Sequence, residues 1–360
     1  MEASYGAMMN SDQGTSTRNV PRVTVLMTYF AKRDYVEDAI RSVLASTFKD
    51  LELLVVDDAS TDGGLDLVRA FSDPRIRILE SAVNTGRAAS ANRGYEAARG
   101  EYIAILDADD LMGEERLAKQ VAYMDSHPEV GALGTYATIL GTEENMSSFQ
   151  LTDSDCRAGF LLGDPFWYGS AMFRSSVLRE HGILSDPQWL LPGEDYLFMI
   201  KLARHTKIAN LPEQLSYYRL GDQNQRHGRD AFADRSALYL EAMRYFGIPA
   251  DAEKVRLHLM LHRSFRTRPT AQDLRDLRRW MDFLYEVNRK NGLFPIERFE
   301  EMMEARWKNL FYYMADVGWS TGFIHMVLSR SFRPDRLYYL LRTRLNSFLR
   351  TEVPDRSAKN

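Results

Sequence analysis

Three aspartates with one alanine among them, Asp107-Ala108-Asp109-Asp110, stand at the end of an apolar run from Tyr102 to Leu106. An apolar run of this length reads as a buried strand. Carboxylates crowded at its end repel one another and lose hydration, so positive charge belongs beside them. A divalent cation with oxygen ligands suits that place. In an α/β sheet the carboxyl ends of the strands are where ligands bind, which makes a metal-bound nucleotide the expectation. A second apolar run, Leu51 to Val56, also ends in paired acids, Asp57-Asp58. Aspartate after a strand has a plain use in turns and helix caps, so the order of the surrounding motifs must decide.

The elements that would carry these acids alternate. Val23 to Met27 reads as a first strand, followed by a helix from a capping-box-like start, Asp34-Tyr-Val-Glu37, to about Thr47. The second strand, Leu51–Val56, leads through a turn-rich stretch into a helix with Leu65, Leu67, Val68 and Phe71. Arg75–Leu79 is a short third strand. A helix from Ala88 to Arg99 stops at Gly100 as its C′ residue. After the strand ending in the three aspartates come a helix, Glu114–Ser126, and a strand, Val130–Leu140. This β-α alternation calls for a mostly parallel sheet with helices on both faces. Order weakens over 141–166. A strand at Tyr168–Phe173, a helix at Ser176–His181, a helix opened by Gly193-Glu-Asp195 and two short strands, Lys207–Leu211 and Leu215–Arg219, follow. Beyond residue 228 helical periodicity dominates, with expected helices at Ala231–Phe246, Ala252–Arg266, Ala271–Lys290, Ile296–Asp316 and Arg336–Leu349. The expected division is a disordered tail over 1–20, an α/β domain over 21–228 and a helical region over 229–360.

The bulk properties exclude some classes. At 360 residues and 45% apolar composition the chain can bury a large core. A formal net charge of -4 gives no sign of nucleic-acid binding. The one cysteine, Cys156, has no partner within the chain and reads as structural, in keeping with a reducing compartment. No apolar run is long enough to span a bilayer, and the first nineteen residues lack the apolar core of a secretion signal. The expected place is the cytoplasm.

Read in order, Val23-Thr-Val-Leu-Met-Thr-Tyr29, Val55-Val-Asp-Asp-Ala-Ser-Thr-Asp62, Asn84-Thr-Gly86, Asn92-Arg-Gly94, Gly100-Glu-Tyr-Ile-Ala-Ile-Leu-Asp-Ala-Asp-Asp110 and Gly193-Glu-Asp-Tyr196 resemble the family 2 glycosyltransferases, which have the GT-A fold. The resemblance covers about residues 22–220. It implies an inverting, metal-dependent transfer of sugar from a nucleotide-diphosphate sugar, most often a UDP-sugar, to an acceptor hydroxyl. The products would be surface polysaccharides or glycoconjugates, and the acceptor a glycan or lipid-linked glycan. Mn2+ or Mg2+ would neutralise the leaving diphosphate. By resemblance, Asp109 is the direct metal ligand, Asp107 holds the ribose, the metal or its water, and Asp110 caps the next helix instead. Asp58 matches the acid that accepts from the base N–H, and Thr28 matches the residue lining the base pocket. Arg87 is a base or phosphate contact, or a surface arginine. Asp195 matches the catalytic base that takes the acceptor's proton, with Glu194 orienting the acceptor or supporting it; a helix cap is the plain use of such an acid. Trp167, in Phe166-Trp-Tyr168, lies where this family shapes its acceptor site, although aromatic residues also build cores.

The sequence departs from the pattern in places. Many relatives carry a histidine after the closing Tyr-Arg, where Tyr218-Arg219 is followed by Leu220-Gly-Asp222. His227 could swing in as a metal ligand, Asp222 is another option, and Asp109 with donor phosphates and water alone can also hold Mg2+. His258 and His262 are four apart on an expected helix and read as ordinary surface histidines without a third zinc ligand. In the tail, Leu337, Leu341, Leu345 and Phe348 share one helical face flanked by Arg336, Arg342, Arg344 and Arg350. Such a helix lies on an anionic membrane surface, packs on the catalytic domain, or builds a homodimer. A dehydrogenase would need a Gly-x-Gly-x-x-Gly turn after the first strand, and Thr28–Arg33 has no glycine. A nucleotidyltransferase would need a Gly-rich basic loop there. The alternative from another class is a non-catalytic sugar-nucleotide sensor or scaffold.

Overall fold

The computed structural model describes residues 20–142, 149–220, 228–330 and 333–351. The expected disordered tail, His227 and Asp222 lie outside the described residues. The first half builds β1 (Val23–Tyr29), α1 (Arg33–Leu44), β2 (Leu51–Asp57), α2 (Gly64–Arg69), β3 (Ile76–Leu79), α3 (Arg87–Ala97), β4 (Tyr102–Ile105), β5 (Leu111–Met112), α4 (Arg116–Ser126) and β6 (Val130–Ile139). Then come α5 (Asp153–Ala158), β7 (Met172–Arg174), α6 (Ser175–Glu180), α7 (Glu194–Leu202) and β8 (Lys207–Tyr218). The rest is helical: α8 (Ala231–Tyr245), α9 (Ala252–Met260), α10 (Ala271–Asn291), α11 (Ile296–Val317), α12 (Trp319–Leu328) and α13 (Pro334–Thr351).

The strands form one sheet in the order β3-β2-β1-β4-β7-β6-β8-β5. The first four are parallel; β7 runs antiparallel between β4 and β6, β6 and β8 are parallel, and β5 is antiparallel to β8. Strand order reverses at β1, so the carboxyl ends of β1, β2 and β4 border the crevice where such sheets take ligands. Alternation sets the two layers. β1 sends Val23, Val25, Met27 and Tyr29 to the face covered by α1, α2 and α4. Leu26 points to the opposite face, into a core that includes Tyr95 of α3, Phe198 of α7, Tyr239 of α8, Trp280 of α10 and Trp307 of α11. The helical region thus shares one core with the back of the sheet across residue 228.

Several expected elements differ. β8 is one twelve-residue strand instead of two short ones, its register against β6 shifting around Tyr136. The expected strand at Tyr168–Phe173 begins as a 3-10 turn, Tyr168–Ser170, and only Met172–Arg174 pairs. Lys32 caps α1 and no side chain bonds the cap, so Asp34 and Glu37 form no capping box. α9 ends at Met260, short of Arg266, and α5 and α12 went unforeseen. His258 and His262 are not surface residues. His258 is fully buried, pairs with the Leu161 carbonyl and accepts from the Trp280 indole. Cys156 is buried and free, as expected.

Gly100 is a further correction. α3 ends at Ala98 in extended backbone, so no glycine C′ is involved. Glycine is needed for space: a Cβ at 100 would lie 2.4 Å from the Thr24 nitrogen and 2.8 Å from the Val23 carbonyl carbon. The Gly100 N–H also donates to the buried Thr24 hydroxyl. Backbone cannot give as a side-chain tip can, so Gly100→Ala is expected to lose about 1–3 kcal/mol of stability. Urea unfolding measures this; a loss under about 0.5 kcal/mol would show that the approach of α3 to β1 is not tight.

Candidate functional site

Acids gather at the carboxyl ends of β2 and β4, on either side of β1, and each meets a different partner. Asp58, just past β2, is buried. Its carboxylate accepts from the Thr85 N–H (2.8 Å), the Thr85 hydroxyl (3.0 Å) and the Gly86 N–H (2.8 Å), while Asn84 donates to its carbonyl. The Asn84-Thr-Gly86 turn is therefore moulded on Asp58, and Gly86 takes the left-handed φ of 88° that the turn requires before α3. Thr28 is half-buried near the end of β1, its backbone in register with Val56. Asn92 and Gly94 also find their reasons. Asn92 exchanges two 2.8 Å hydrogen bonds with the Ser185 backbone, and a Cβ at 94 would meet Leu26 at 2.2 Å.

Asp107, Asp109 and Asp110 part company at the end of β4. Asp107 is half-buried, and loss of hydration pushes its carboxyl up to about 6 against the pull of Arg87. Asp109 Oδ2 receives the Lys32 ammonium at 2.6 Å. Asp110 is buried; its Oδ1 accepts from the Arg219 N–H at 2.7 Å and its Oδ2 has no partner. Burial, then the Asp107 charge, push the Asp110 carboxyl up to about 9. The next helix, α4, starts at Arg116 with Glu115 as its cap residue, so the expected cap by Asp110 gives way to a tie across the sheet to β8. Arg219 completes that tie by donating from Nε to the Asp109 carbonyl at 2.9 Å.

Beneath β4 lies Arg116, fully buried, donating to the carbonyls of Ile105, Gly169 and Ala171 and to Gln120. Burial pulls the guanidinium down to about 9, and Asp107 opposes the shift. It fixes the end of β4 against the loop before β7.

The second wall comes from α7. Gly193, with φ 97°, turns the chain into the helix, and a Cβ there would meet Leu238 of α8 at 2.6 Å. Glu194 and Asp195 occupy the first turn, where the helix dipole favours anions. The Tyr196 N–H donates to Asp195 Oδ1 at 2.9 Å. Glu194 is buried; loss of hydration raises its carboxyl and Arg87 counters the rise. Arg87 opens α3, the end of a helix that disfavours a cation. It is held there by Glu194, to which its Nε and a terminal nitrogen donate at 3.1 and 2.5 Å. Asp195 and Asp107 also act on its charge. Arg87 is thus no plain surface arginine: it joins the strand-end acids to α7.

Trp167 is half-buried and packs edge-on against Tyr218, with ring centroids 5.6 Å apart. Its neighbours Phe166 and Tyr168 belong to the core, Tyr168 bonding the Tyr95 hydroxyl. Beside the α7 turn, a cavity of about 280 Å3 is lined by Gly163, Pro192, Tyr196, Leu238, Tyr239 and His262 among others.

Among the described residues no cluster of three His, Cys, Asp or Glu side chains is arranged to hold a metal ion. The carboxylates of Asp107 and Asp109 fit a hard cation that shares its remaining positions with phosphate oxygens and water, which is how Mg2+ commonly binds. Lys32, Arg116 and Arg219 were missed from the sequence. The available signals were a lysine in the loop after the first strand and an arginine directly after the last.

The sequence model described as glycosyl transferase family 2 matches residues 24–181. A Haemophilus influenzae protein described as an uncharacterized glycosyltransferase is 32% identical over 208 residues, 56% of this chain and 81% of that one. The putative teichuronic acid biosynthesis glycosyltransferase TuaG of Bacillus subtilis is 38% identical over 106 residues, 29% of this chain and 42% of that one. Other curated relatives are spanned over 66% and 58% of their length. Among solved structures, S. aureus TarS 1–349 in complex with UDP-GlcNAc superposes with a TM-score of 0.52 at 17% identity, covering 92% of both chains. That likeness is one of fold, and it agrees with the expected GT-A arrangement of a mostly parallel sheet followed by helices.

The Arg87–Glu194 pair yields a test of the wall-to-wall link. Glu194 is 5% exposed, but the Arg87 side chain is 36% exposed. Solvent screening therefore lowers the cost of breaking the pair below that of a fully buried one. Arg87→Met is expected to cost about 2 kcal/mol. Adding Glu194→Gln should recover most of it, because the loss comes from a carboxylate stranded without its cation. Urea unfolding of the two single variants and the double variant checks this; additive losses would show that the two do not act as a pair.

Proposed function

The chain belongs to glycosyl transferase family 2, and on that premise we propose that it transfers a sugar from a nucleotide-diphosphate sugar to an acceptor hydroxyl, with inversion and with Mn2+ or Mg2+. The observation that carries this reading is the pair of Arg87 with Glu194, which ties the start of α3 to the first turn of α7, where Asp195 also lies, with the Asp107 and Asp195 charges acting on the same guanidinium. That contact supports a reading in which two carboxylate centres from distant parts of the chain serve one reaction, as a leaving-group site and a base site must.

The roles follow from the surroundings. Thr28 and the turn held by Asp58 border the place of the nucleotide base, with Asp107 beside the ribose and diphosphate. A divalent ion held by Asp109, with Asp107 next to it, would supply positive charge to the leaving diphosphate; His227 remains a candidate further ligand. Asp195 is the base. Its Oδ1 holds the Tyr196 N–H, which leaves Oδ2 to take the acceptor's proton as the acceptor oxygen bonds to the sugar's C1. The bond from C1 to the diphosphate oxygen breaks with its electron pair on the opposite side. Glu194 fixes Arg87 and with it the approach of α7. Trp167 offers an aromatic face to the acceptor. A UDP-sugar is the preferred donor and a glycan, free or lipid-linked, the acceptor, in synthesis of a surface polysaccharide or glycoconjugate. The fold shared with the UDP-GlcNAc-bound TarS and the kinship with TuaG support these choices.

Asp195→Asn should lower turnover at least about 100-fold, the usual worth of a general base, while nucleotide affinity stays within about twofold. Product formation and nucleotide titration with Mn2+ measure the two, after a thermal-shift screen of UDP-, GDP- and dTDP-sugars has chosen the donor. Wild-type turnover in the variant would remove Asp195 as the base. Binding without release of nucleoside diphosphate in the wild type would favour the sensor or scaffold.

We place the protein on the inner face of the membrane, held peripherally. No helix among the described residues is long and apolar enough to cross a bilayer. α13 docks through Arg336, Tyr339 and Leu340, so the face with Leu337 and Leu341 is not the one that packs on the other helices. Tyr339 faces Phe311 and Tyr312 of α11, whereas Arg344 stacks on Trp319 of α12. Leu337 and Leu341 therefore lie on the α12 side, exposed alongside Trp319, Phe323 and Val327. An apolar ridge flanked by Arg330, Arg333 and Arg344 suits an anionic lipid surface; the same ridge could instead join two copies. Leu337→Ser/Leu341→Ser should abolish flotation with vesicles containing phosphatidylglycerol and leave catalysis on a soluble acceptor intact. Flotation equal to wild type would refute the membrane contact, and a change in oligomeric state would identify a dimer.

A further inference from the structure

Lys32 holds one of the two carboxylate oxygens of Asp109, the acid read above as the metal ligand. Its Nζ is 2.6 Å from Asp109 Oδ2, and the two side chains are only 20% and 16% exposed. The loop is shaped to bring it there. Ala31 adopts a left-handed φ of 52°, unusual for a residue with a Cβ, and its N–H donates to the Ser60 hydroxyl. On the other side of Lys32, the Arg33 N–H and guanidinium both bind Asp62, whose Oδ1 also accepts from the Tyr29 hydroxyl. A strained residue held from both sides keeps its conformation because its surroundings over-determine it. The link between the β1 and β2 loops supplies that constraint, and its result is an ammonium on Asp109.

An ammonium on one oxygen of a carboxylate and a divalent cation on the same or the other oxygen lie close enough to repel each other and to weaken each other's hold. A nucleoside diphosphate changes the balance, because it brings anionic oxygens to which a flexible four-carbon side chain can turn. We propose that Lys32 is a tethered counter-ion: it occupies Asp109 while the donor is absent, and moves to the donor's diphosphate when the metal takes Asp109. The inference rests on the reading of Asp109 as metal ligand. It makes nucleotide and metal bind cooperatively, since each relieves the Lys32–Asp109 pair that opposes the other, and the coupling is reciprocal. Free metal alone would then load the site poorly. In this chain the lysine adds to the selection of a complete metal–nucleotide pair.

Mn2+ binding, read from the free-ion paramagnetic resonance signal with and without UDP, GDP or dTDP, tests this in the intact chain. Lys32→Met is expected to bind Mn2+ alone about tenfold more tightly than wild type, to bind the preferred nucleotide more weakly, and to lose most of the coupling between them. Lys32→Gln provides a second neutral variant should Lys32→Met fold poorly, as judged by its melting temperature. Lys32→Arg, which keeps the charge, should retain wild-type behaviour towards Mn2+ alone. Unchanged or weaker Mn2+ affinity in the neutral variants would overturn the role of Lys32. If wild type with nucleotide binds Mn2+ beyond a protein-free nucleotide control, and Asp109→Ala does not, the metal assignment to Asp109 survives that result. If no variant binds Mn2+ under any condition, both fall.

Discussion

Burying carboxylates at the ends of strands is the constraint on which the rest of this structure depends. Each acid taken from water must find cations or N–H groups close by, or it takes up a proton. The protein meets this demand differently at every position. Asp58 is wrapped by the backbone of a turn. Asp109 holds an ammonium, and Glu194 a guanidinium. Asp110 has one N–H donor and a bare second oxygen, and burial pushes its carboxyl up to about 9. The differences matter for function. An acid satisfied by fixed backbone is a scaffold, whereas one satisfied by a mobile side chain can exchange its partner for a ligand.

The same constraint explains why a helical region beyond residue 228 belongs to the site. α7 presents Glu194 and Asp195 only if its first turn is held firmly, and Gly193 lies against Leu238 of α8. The core on that side of the sheet runs without a break from Leu26 to Trp307. Arg116 does the corresponding work under β4, where its fully buried guanidinium binds three carbonyls and holds the strand that carries Asp107 to Asp110. Positioning in this molecule is therefore done by buried arginines and by helices remote in sequence, while the acids themselves sit at strand and helix ends.

The acids of the candidate site could be picked out from the chain. Asp58, Asp107, Asp109 and Asp195 follow strands or open a helix, and those are local features: an apolar run, then acids, in a fixed order. The β-α alternation was equally local, and it determined the mostly parallel half of the sheet. Individual boundaries proved less readable. β8 looked like two strands because Pro212-Glu-Gln214 interrupts its apolar pattern, yet pairing with β6 carries it through the interruption by shifting register. His258 and His262 looked like surface residues because a four-residue spacing says nothing about which face is covered. The tail's apolar stripe was visible, but α11 and α12 select Arg336 and Leu340 for burial and leave Leu337 and Leu341 outside.

By itself, the sequence determined the fold class, the order of the motifs and the identity of the acids, because strand and helix periodicity and strand-end chemistry act over a few residues. Only the tertiary structure decided what each acid meets. Lys32 reaches Asp109 across 77 positions, Arg87 reaches Glu194 across 107, and Arg219 reaches the Asp109 carbonyl across 110. No periodicity records such pairings. They exist because a parallel sheet brings the carboxyl ends of distant strands to one edge, where charges far apart in the chain have to neutralise one another.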